Sequence, residues 1–352
     1  MASSEQRDEL VGESFGAHRV IAPVGALPQA AERVDNDFAR AFDNEIVIDV
    51  DTLNVDAASF RQMLEASRGD PQGVAALVER TVATRGKQHN PVTGSGGMLL
   101  GTICRVGSKV AAQARVGQRI ASLVSLTLTP LRIDEIQAVR PASAQLDVRA
   151  QAVLFDGGPF AVLPDDLPER IALSALDVCG APALMARSAG PGQHVLVLGA
   201  GGKSGLLCAS EARRQVGSGG RVVGVESSPA AAQELRALGV CDGVIDGDAR
   251  APLALRRAAL AENGGREFDV VVSCVNVEGA EMSAILCARP RGRVVFFAMT
   301  TSFSRAALGA EGVGKDIELL IGNGYAEGHA ELTLQLLRRD ARLMALFERR
   351  YG

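Results

Sequence analysis

The chain has 352 residues, of which 47% are apolar, 22% charged and 4% aromatic, and its formal net charge is -4. This length predicts two domains of ordinary size, and the apolar share excludes a globally disordered chain. A mildly acidic chain with few aromatic rings lacks the features of nucleic-acid-binding proteins, so we expect no nucleic-acid partner.

The first half of the chain has the short strands and turns of a β-rich domain. Residues 1–16 are polar and contain no apolar stretch, so we expect no signal peptide. Alternating apolar and polar residues predict three strands, Glu45–Val50, Gly101–Val106 and Arg119–Val124. Apolar positions at helical spacing predict one helix over Pro71–Thr84. We therefore predict a β-rich domain over residues 1–165.

After Pro164 the pattern changes to helices that alternate with fully apolar strands. A helical stretch over Arg170–Arg187 contains Gly180 and Pro182, near which we expect a break. Five strands are predicted at His194–Leu198, Arg221–Val225, Gly243–Ile245, Phe268–Ser273 and Arg293–Phe297. This alternation predicts an α/β domain over residues 166–325 with a doubly wound parallel sheet. We expect a single C-terminal helix, His329–Arg349, and expect residues 326–352 to complete the first domain. No apolar run reaches the length of a membrane span.

A glycine-rich loop follows the strand His194–Leu198 and opens a helix over Ser204–Gln215. Glycines here allow a tight turn and a close approach to a pyrophosphate, and the helix start supplies unpaired N–H groups. The candidate cofactor-binding residues are Gly199, Gly201, Gly202, Lys203, Ser204 and Gly205. Lys203 would contact a phosphate or would be solvated. The spacing of a P-loop is absent, so we predict a dinucleotide site.

Glu226 ends the second strand of this sheet, twenty-one residues after Gly205. A carboxylate there would accept hydrogen bonds from ribose hydroxyls and repel a 2′-phosphate, so we expect NAD rather than NADP. Ser227 and Ser228 would tolerate a phosphate, which keeps NADP open, and an exposed strand end is the structural alternative for Glu226. A methyltransferase fold also begins with a strand and a glycine loop, but it does not account for the long β-rich segment ahead.

Residues 40–325 resemble the medium-chain dehydrogenase/reductase superfamily. The segments that carry the resemblance are Asn54–Asp56, Pro91–Gly107, Val116–Ile120, Pro191–Gly199 and Phe268–Val275. The resemblance implies a Rossmann domain and a β-rich, GroES-like substrate domain, with the substrate in the cleft between them. It also makes a homodimer or homotetramer the expected assembly.

The zinc-dependent branch of that superfamily carries Gly-His-Glu where this chain has Gly96-Gly97-Met98. Neither Gly97 nor Met98 can bind zinc as His and Glu would, so we expect no metal. The six cysteines are dispersed and lack the spacing of a zinc site. They indicate reduced thiols in a cytoplasmic protein.

Several unusual strings narrow the resemblance to the family of L-erythro-3,5-diaminohexanoate dehydrogenases. They are His18–Ile21, Pro23–Gln29, Asn90–Met98, Ser125–Ile136, Ala175–Pro182, Ser273–Val277, Ala307–Asp316 and Ile321–Tyr325. The resemblance implies an NAD-dependent oxidative deamination at C3 of a small diamino acid, in lysine fermentation. Its products would be 5-amino-3-oxohexanoate, ammonia and NADH.

This reaction requires a base for the C3 ammonium and groups that orient water for hydrolysis of the imine. Asp56 is our first candidate for proton handling, with Ser59 and Thr93 as neighbouring hydroxyls, and a helix N-cap is the alternative for Asp56. Asp177 lies in an apolar stretch and would bind a substrate ammonium or the nicotinamide amide, or cap a helix.

The substrate carboxylate requires a cation, and Arg132 is the candidate, with a structural ion pair to Asp134 or Glu135 as the alternative. Asn276 follows a strand end on the cofactor side and is a candidate for a ribose contact. Glu311 and Lys315 are weaker candidates for the rim of the site.

Two other functions stay open at this point. A zinc-free quinone or enoyl reductase would share the fold but would take an apolar substrate. A non-catalytic nucleotide-binding regulatory protein would keep the glycine loop without turnover.

Overall fold

A computed structural model describes residues 10–40, 42–111 and 114–352. The described residues divide into two compact units, residues 10–177 with 350–352, and residues 178–349. The first unit extends to Asp177, whereas the predicted domain boundary was after residue 165. Residues 326–349, which we expected to complete the first domain, group by their contacts with the second unit.

The first unit is built mainly from β-structure. Its strands are β1 Val20–Ala22, β2 Arg33–Val34, β3 Glu45–Asn54, β4 Met98–Val106, β5 Arg119–Ser122, β6 Leu131–Arg140, β7 Gln145–Phe155 and β8 Phe160–Val162. Its helices are α1 Ala57–Ala66, α2 Pro71–Arg85 and α3 Glu169–Leu176, with a 3₁₀ turn at Ala17–Arg19. Six of these described strands form an antiparallel sheet in the order β6-β7-β3-β4-β5-β8, and β1 pairs with β2. The predicted β-rich domain is confirmed.

The core of this unit lies between one face of the sheet and the helices α1 and α2. The side chains that β3 contributes are Ile46, Ile48, Val50 and Leu53, each at most 3% exposed. They belong to one apolar cluster with Phe60 and Met63 of α1 and with Val74, Val78 and Val82 of α2. Because full burial of such a side chain is worth about 1.5–3 kcal/mol, this cluster holds both helices on the sheet.

The strand β3 runs farther than predicted, and its extra length positions α1. The predicted strand ended at Val50, whereas β3 continues to Asn54 because its last three residues pair with both β4 and β7. Asp56 therefore lies two residues after the end of a central strand, and α1 begins one residue later.

A buried ion pair joins the N-terminal segment to the start of β3. The side chains of Arg19 and Glu45 are both 0% exposed and lie 2.7 Å apart at Nη2 and Oε2. His18 Nε2 lies 2.9 Å from Oε1 of the same carboxylate. Burial raises the pKa of Glu45, but hydrogen bonds from Arg19 and His18 outweigh it and hold the pKa at about 2, below its ordinary 4.5. This carboxylate therefore stabilises the fold above pH 4.5, and the contribution is lost as the pH falls towards 2.

Glu45→Gln is expected to lower the free energy of unfolding by about 3–5 kcal/mol at pH 7, because it leaves Arg19 buried without its buried counter-charge. Urea unfolding at pH 7 measures this. Asp35→Asn is the matched control, since Asp35 is a 37% exposed partner of the same arginine at 3.3 Å and should cost less than about 1 kcal/mol. Equal effects of the two variants would contradict the account.

The second unit contains the predicted parallel sheet. Its strands are β9 His194–Leu198, β10 Arg221–Glu226, β11 Gly243–Asp246, β12 Phe268–Ser273, β13 Ala288–Phe296 and β14 Glu318–Ile321. Its helices are α4 Gly180–Ser188, α5 Lys203–Val216, α6 Pro229–Leu238, α7 Pro252–Glu262, α8 Glu281–Cys287, α9 Phe303–Gly312, α10 His329–Arg339 and α11 Ala341–Tyr351, the last of which reaches into the residues grouped with the first unit. Six described strands pair in parallel in the order β11-β10-β9-β12-β13-β14. This is the Rossmann order, and the predicted fold class is confirmed.

The helical stretch around residue 180 is broken near Gly180, as predicted. The break lies at residues 177–179, between α3 and α4. Pro182 lies in the first turn of α4, where a backbone N–H would have no partner within the helix.

The predicted single C-terminal helix is wrong, because the chain forms α10 and α11 there. Asp340 separates them, and its Oδ1 accepts the backbone N–H of Arg342 at 2.9 Å. The aspartate therefore caps the start of α11, and this cap stabilises the break between the two helices.

No single helix in the described ranges is long and apolar enough to cross a membrane, and only α3 and α4 taken together meet those limits. The six cysteines all fall in the described ranges and are free thiols.

Candidate active site

The glycine loop turns sharply at the carboxyl end of β9. Gly199 has φ of +72°, a left-handed conformation that favours glycine. Its N–H donates to the carbonyl of Val225 at 2.9 Å, which fixes the loop to β10. Gly202 then serves as the N-cap of α5 with no side chain to satisfy the first N–H groups of the helix. No capping side chain therefore competes with an anion at the start of α5, as a phosphate site requires.

Gly205, the last glycine of the loop, lies where a side chain would collide with the backbone. A Cβ on Gly205 would lie 2.0 Å from the carbonyl oxygen of Gly199 and 2.6 Å from Ala200 Cα. Both contacts are with backbone, so a side chain would push α5 away from β9. The first turn of α5 therefore approaches the loop only because residue 205 is glycine.

Glu226 is tied to this loop rather than standing at a free strand end. Its Oε2 accepts the N–H of Gly201 at 3.0 Å, and its Oε1 accepts the N–H groups of Ser227 and Ser228 at 2.9 and 3.0 Å. The carboxylate is half-buried and stays at the carboxyl edge of the sheet. It is thus fixed where a ribose hydroxyl is recognised in Rossmann folds.

The remaining predicted cofactor residues lie at the same edge of the sheet. Lys203 and Ser204 open α5 and are half-buried. Asn276 is exposed three residues after the end of β12, which pairs with β9 through Ser273 and Leu198. The structure therefore brings the predicted cofactor residues to one edge of one sheet.

In the first unit, Asp56 is the N-cap of α1. Its Oδ1 accepts the N–H groups of Ala58 and Ser59 at 3.0 and 3.2 Å, so the structural alternative for Asp56 is observed. The buried Ser59 hydroxyl lies 2.5 Å from Thr93 Oγ1. The structure therefore brings together three of the five predicted catalytic residues, Asp56, Ser59 and Thr93.

Asn90 organises the loop that carries Thr93, and the prediction of site residues missed it. Its Oδ1 accepts the N–H groups of Val92 and Thr93 at 2.8 and 3.4 Å. Its Nδ2 donates to Gln62 Oε1 on α1 at 3.0 Å. The signal in the sequence was the Asn-Pro pair at the start of a family string, which is typical of a turn.

A hydrogen-bonded network of side chains, which contains two buried amides, lies at the end of β3. The prediction of site residues did not include it. Gln145 Nε2 donates to Asn54 Oδ1 at 3.2 Å, and Arg170 donates to Gln145 Oε1 at 2.9 Å. Asn54 and Gln145 are at most 1% exposed, and burial of such amides is costly unless they are hydrogen-bonded. This network fixes Asn54, the last residue of β3 before the turn to Asp56.

Arg132 and Asp177 are not part of that cluster. Arg132 lies on β6 and pairs with Asp134 at 3.3 Å, donates to Gln151 at 2.8 Å and stacks over Phe38 at 5.5 Å. Gln151 is in register with Asp49, five positions before Asn54 on β3, which places Arg132 roughly 17 Å from the strand end at about 3.3 Å per residue. The alternative of a structural ion pair is therefore the one observed. Asp177 is the C-cap residue of α3, where its backbone N–H donates to the carbonyls of Leu173 and Ala175.

Lys315 and Glu311 lie away from the cofactor edge of the sheet. Lys315 Nζ binds Glu267 at 2.8 Å and the carbonyl of Ala288 at 2.6 Å. Ala288 and its partner Phe268 begin β13 and β12, so this cluster lies at the amino end of the strands. Glu311 is exposed in the last turn of α9. The prediction that Glu311 and Lys315 lie at the rim of the site is therefore wrong.

The residues at the zinc position of related enzymes do not fit a metal. Gly97 has φ of +99°, and a Cβ there would lie 2.1 Å from the carbonyl oxygen of Asn54. No metal-ligating side chain can therefore replace this glycine without moving β3. Within the described ranges, no group of three His, Cys, Asp or Glu residues is placed to hold an ion.

Solved structures share this combination of folds. A CurK enoyl reductase aligns with a TM-score of 0.54 at 16% identity, over 86% of this chain and 80% of its own. A quinone oxidoreductase of Pseudomonas syringae aligns with a TM-score of 0.52 at 18% identity, over 90% and 85%. At such identities the likeness concerns the fold. The fold is that of the medium-chain dehydrogenases and reductases, and the glycine loop lies where that fold has its dinucleotide site.

Two bacterial proteins named L-erythro-3,5-diaminohexanoate dehydrogenase are far closer in sequence. Those of Acetoanaerobium sticklandii and Fusobacterium nucleatum are 49% and 47% identical over 342 residues, which is 97% of this chain and 99% of each relative. The chain therefore belongs to the L-erythro-3,5-diaminohexanoate dehydrogenase family, as its motifs predicted. The profile of that family's N-terminal domain matches residues 18–164, and a profile described as zinc-binding dehydrogenase matches residues 205–311.

Proposed function

We propose that this protein catalyses the NAD-dependent oxidative deamination of L-erythro-3,5-diaminohexanoate at C3. The products are 5-amino-3-oxohexanoate, ammonia and NADH. The observation that carries the proposal is the 49% and 47% identity to two proteins of that name, which extends through 97% of the chain. Lysine fermentation is the setting that the proposal implies.

Bound NAD supplies the acceptor for a hydride from C3. The chain must first remove a proton from the C3 ammonium, because a cationic nitrogen has no lone pair to stabilise the developing C=N bond. Asp56 takes that proton in this proposal, since its carboxylate is held by two backbone N–H groups next to the Ser59–Thr93 pair. The two hydroxyls orient the water that adds to the imine, and ammonia leaves as the C3 carbonyl forms.

The preference for NAD rests on Glu226. Its two oxygens already accept three backbone N–H groups, so the carboxylate is fixed before the cofactor arrives. A fixed negative charge favours neutral ribose hydroxyls and repels a 2′-phosphate.

Glu226→Gln is expected to raise the dissociation constant for NAD about tenfold, because a charge-assisted hydrogen bond is replaced by a neutral one. Binding of NADP should improve, because the repelling charge is gone. Titration calorimetry with both cofactors measures the two changes. Glu311→Gln is the matched control, since it makes the same change at an exposed carboxylate away from the cofactor edge and should leave the preference unchanged. An unchanged preference in Glu226→Gln would contradict the role of this residue.

The proposal includes catalysis without a metal, a homo-oligomeric assembly and a cytoplasmic location. The lack of space at Gly97 supports the first, and the six free thiols support the last. With no metal, fixed charges and positioning must lower the barrier.

The test is a mixture of pure protein, NAD and 3,5-diaminohexanoate, followed by absorbance at about 340 nm between pH 7 and 9. The proposal expects NADH to form in proportion to protein. No NADH with authentic substrate would overturn it. NADPH-dependent reduction of quinones would favour a quinone reductase instead, and NAD binding without turnover of either substrate would favour a regulatory protein.

A further inference from the structure

A cavity of about 470 Å³ lies within the first unit, between α1, α2 and residues 90–92. The face of α2 that lines it carries Arg80 and Arg85, and the face of α1 carries Gln62. Cavities of this size are typical of small-molecule sites. None of the proposed roles so far uses it.

The lining of the cavity is positively charged and uncompensated. Arg80 and Arg85 line it with no Asp or Glu, and neither guanidinium has an ion-pair partner among the described residues. Gln62 Oε1 accepts from Asn90, which leaves the amide nitrogen of Gln62 to donate to a ligand. Two guanidinium groups and an amide donor are the groups that bind a carboxylate.

Lys87 and His89, which follow Arg85, are also positively charged or basic, and their pKa values are lowered. Burial and repulsion from Arg85 lower the pKa of the buried Lys87 to about 8. Burial and repulsion from Lys87 and Arg85 also lower the pKa of His89, whose buried Nδ1 has no partner among the described residues. Positive groups are therefore concentrated in the segment 85–89 at the end of α2, and an anion beside Arg85 would relieve their repulsion.

The cavity adjoins the residues that are proposed to act on the substrate. Asn90 lines the cavity and holds the backbone N–H of Thr93 through the same side chain. Gln62 lies three residues after Ser59 on α1, so the two share one face of the helix about 5 Å apart along its axis. A group bound beside Gln62 is therefore one helical turn from the Ser59–Thr93 pair.

We propose that this cavity binds the carboxylate of the amino acid substrate through Arg80, Arg85 and Gln62. The inference rests on the proposed function. It gives Arg80 and Arg85 the role of binding the substrate carboxylate, for which Arg132 was the candidate in the sequence. The carboxylate carbon and C3 are two bonds apart, so a carboxylate at this end of the cavity directs the C3 amine to Ser59 and Thr93.

The test compares 3,5-diaminohexanoate with 2,4-diaminopentane, which has the same two amines and no carboxylate. The double variant Arg80→Gln/Arg85→Gln should lose about 100-fold in kcat/KM for the amino acid, since two charge-assisted hydrogen bonds are removed. Its kcat/KM for the diamine and its KM for NAD should change less than about threefold. Arg61→Gln, an exposed arginine of α1 outside the cavity, is the matched control and should resemble the wild type.

Calorimetry with 3-aminobutanoate, a simple β-amino acid, gives a readout that does not depend on turnover. The wild type should bind it at least tenfold more tightly than the double variant, with equal Tm values showing that both are folded. Equal binding by the two proteins, or no binding by the wild type, would overturn the inference. If the wild type binds 3-aminobutanoate through these arginines but forms no NADH from 3,5-diaminohexanoate, the proposed function fails while the carboxylate site stands.

Discussion

Gly205→Ala is expected to weaken NAD binding at least 100-fold, about 3 kcal/mol. The added Cβ would lie 2.0 Å from the Gly199 carbonyl oxygen, and a backbone atom cannot rotate away as a side chain would. The first turn of α5 must therefore retreat from the loop, and its N–H groups lose their alignment with the pyrophosphate. The overpacking should also lower the free energy of unfolding by about 1–3 kcal/mol.

Gly312→Ala is the matched control for that prediction. It also changes a helical glycine of the second unit, but a Cβ at Gly312 meets no atom within 4 Å. Calorimetric titration with NAD on both variants separates the loss of the cofactor site from a general effect of the substitution. If Gly205→Ala binds NAD as the control does, the loop is not the dinucleotide site.

Asp56→Asn is expected to lower kcat by 100- to 10,000-fold, the range that a general base contributes. Asparagine caps a helix as well as aspartate does, so Oδ1 can still accept the N–H groups of Ala58 and Ser59. The substitution thus removes the proton acceptor and leaves α1 in place. Stopped-flow measurement of NADH formation, with Tm as the check on folding, tests it.

Asp56→Ala is the comparison that isolates the structural role of this residue. It removes the cap as well as the carboxylate, so it should lower stability by about 0.5–2 kcal/mol in addition to its effect on kcat. If Asp56→Asn keeps wild-type kcat while Asp56→Ala is merely less stable, Asp56 is only a helix cap and the base lies elsewhere.

The sequence predicted the parts of this fold that depend on local patterns. Five of the strands in the parallel sheet and its glycine loop could be recognised because apolar runs and glycines are local signals. The division of the C-terminal helix at Asp340 was missed, because apolar periodicity continues through a residue whose side chain caps the second helix. The added strand β14 was missed because only one of its four residues is even half-buried, so its burial leaves no clear pattern.

The candidate site was predictable only in part, because its contacts join residues far apart in sequence. Asp56, Ser59 and Thr93 are brought together by the start of α1 and the loop that Asn90 organises. Arg132 was chosen for its apolar surroundings, but the register of β6 on β7 directs it to Gln151 and Asp134. Register depends on the partner strand, so no local pattern could place that arginine.

The buried pair of Arg19 and Glu45 illustrates the same limit. Arg19 lies in a string used only for its resemblance to a family, and Glu45, twenty-six residues later, begins a predicted strand, so neither pattern indicates that they pair. Only the packing of the N-terminal segment against β3 removes both from water and makes each dependent on the other.

The central claim is that hydride removal at C3 and release of ammonia belong to one reaction of this protein. Substrate deuterated at C3 tests it most directly, by measuring NADH, ammonia and the label together. We predict equal amounts of reduced cofactor and ammonia, with the deuterium on the nicotinamide ring. Ammonia without reduced cofactor, or reduced cofactor with the deuterium still on C3, would contradict it.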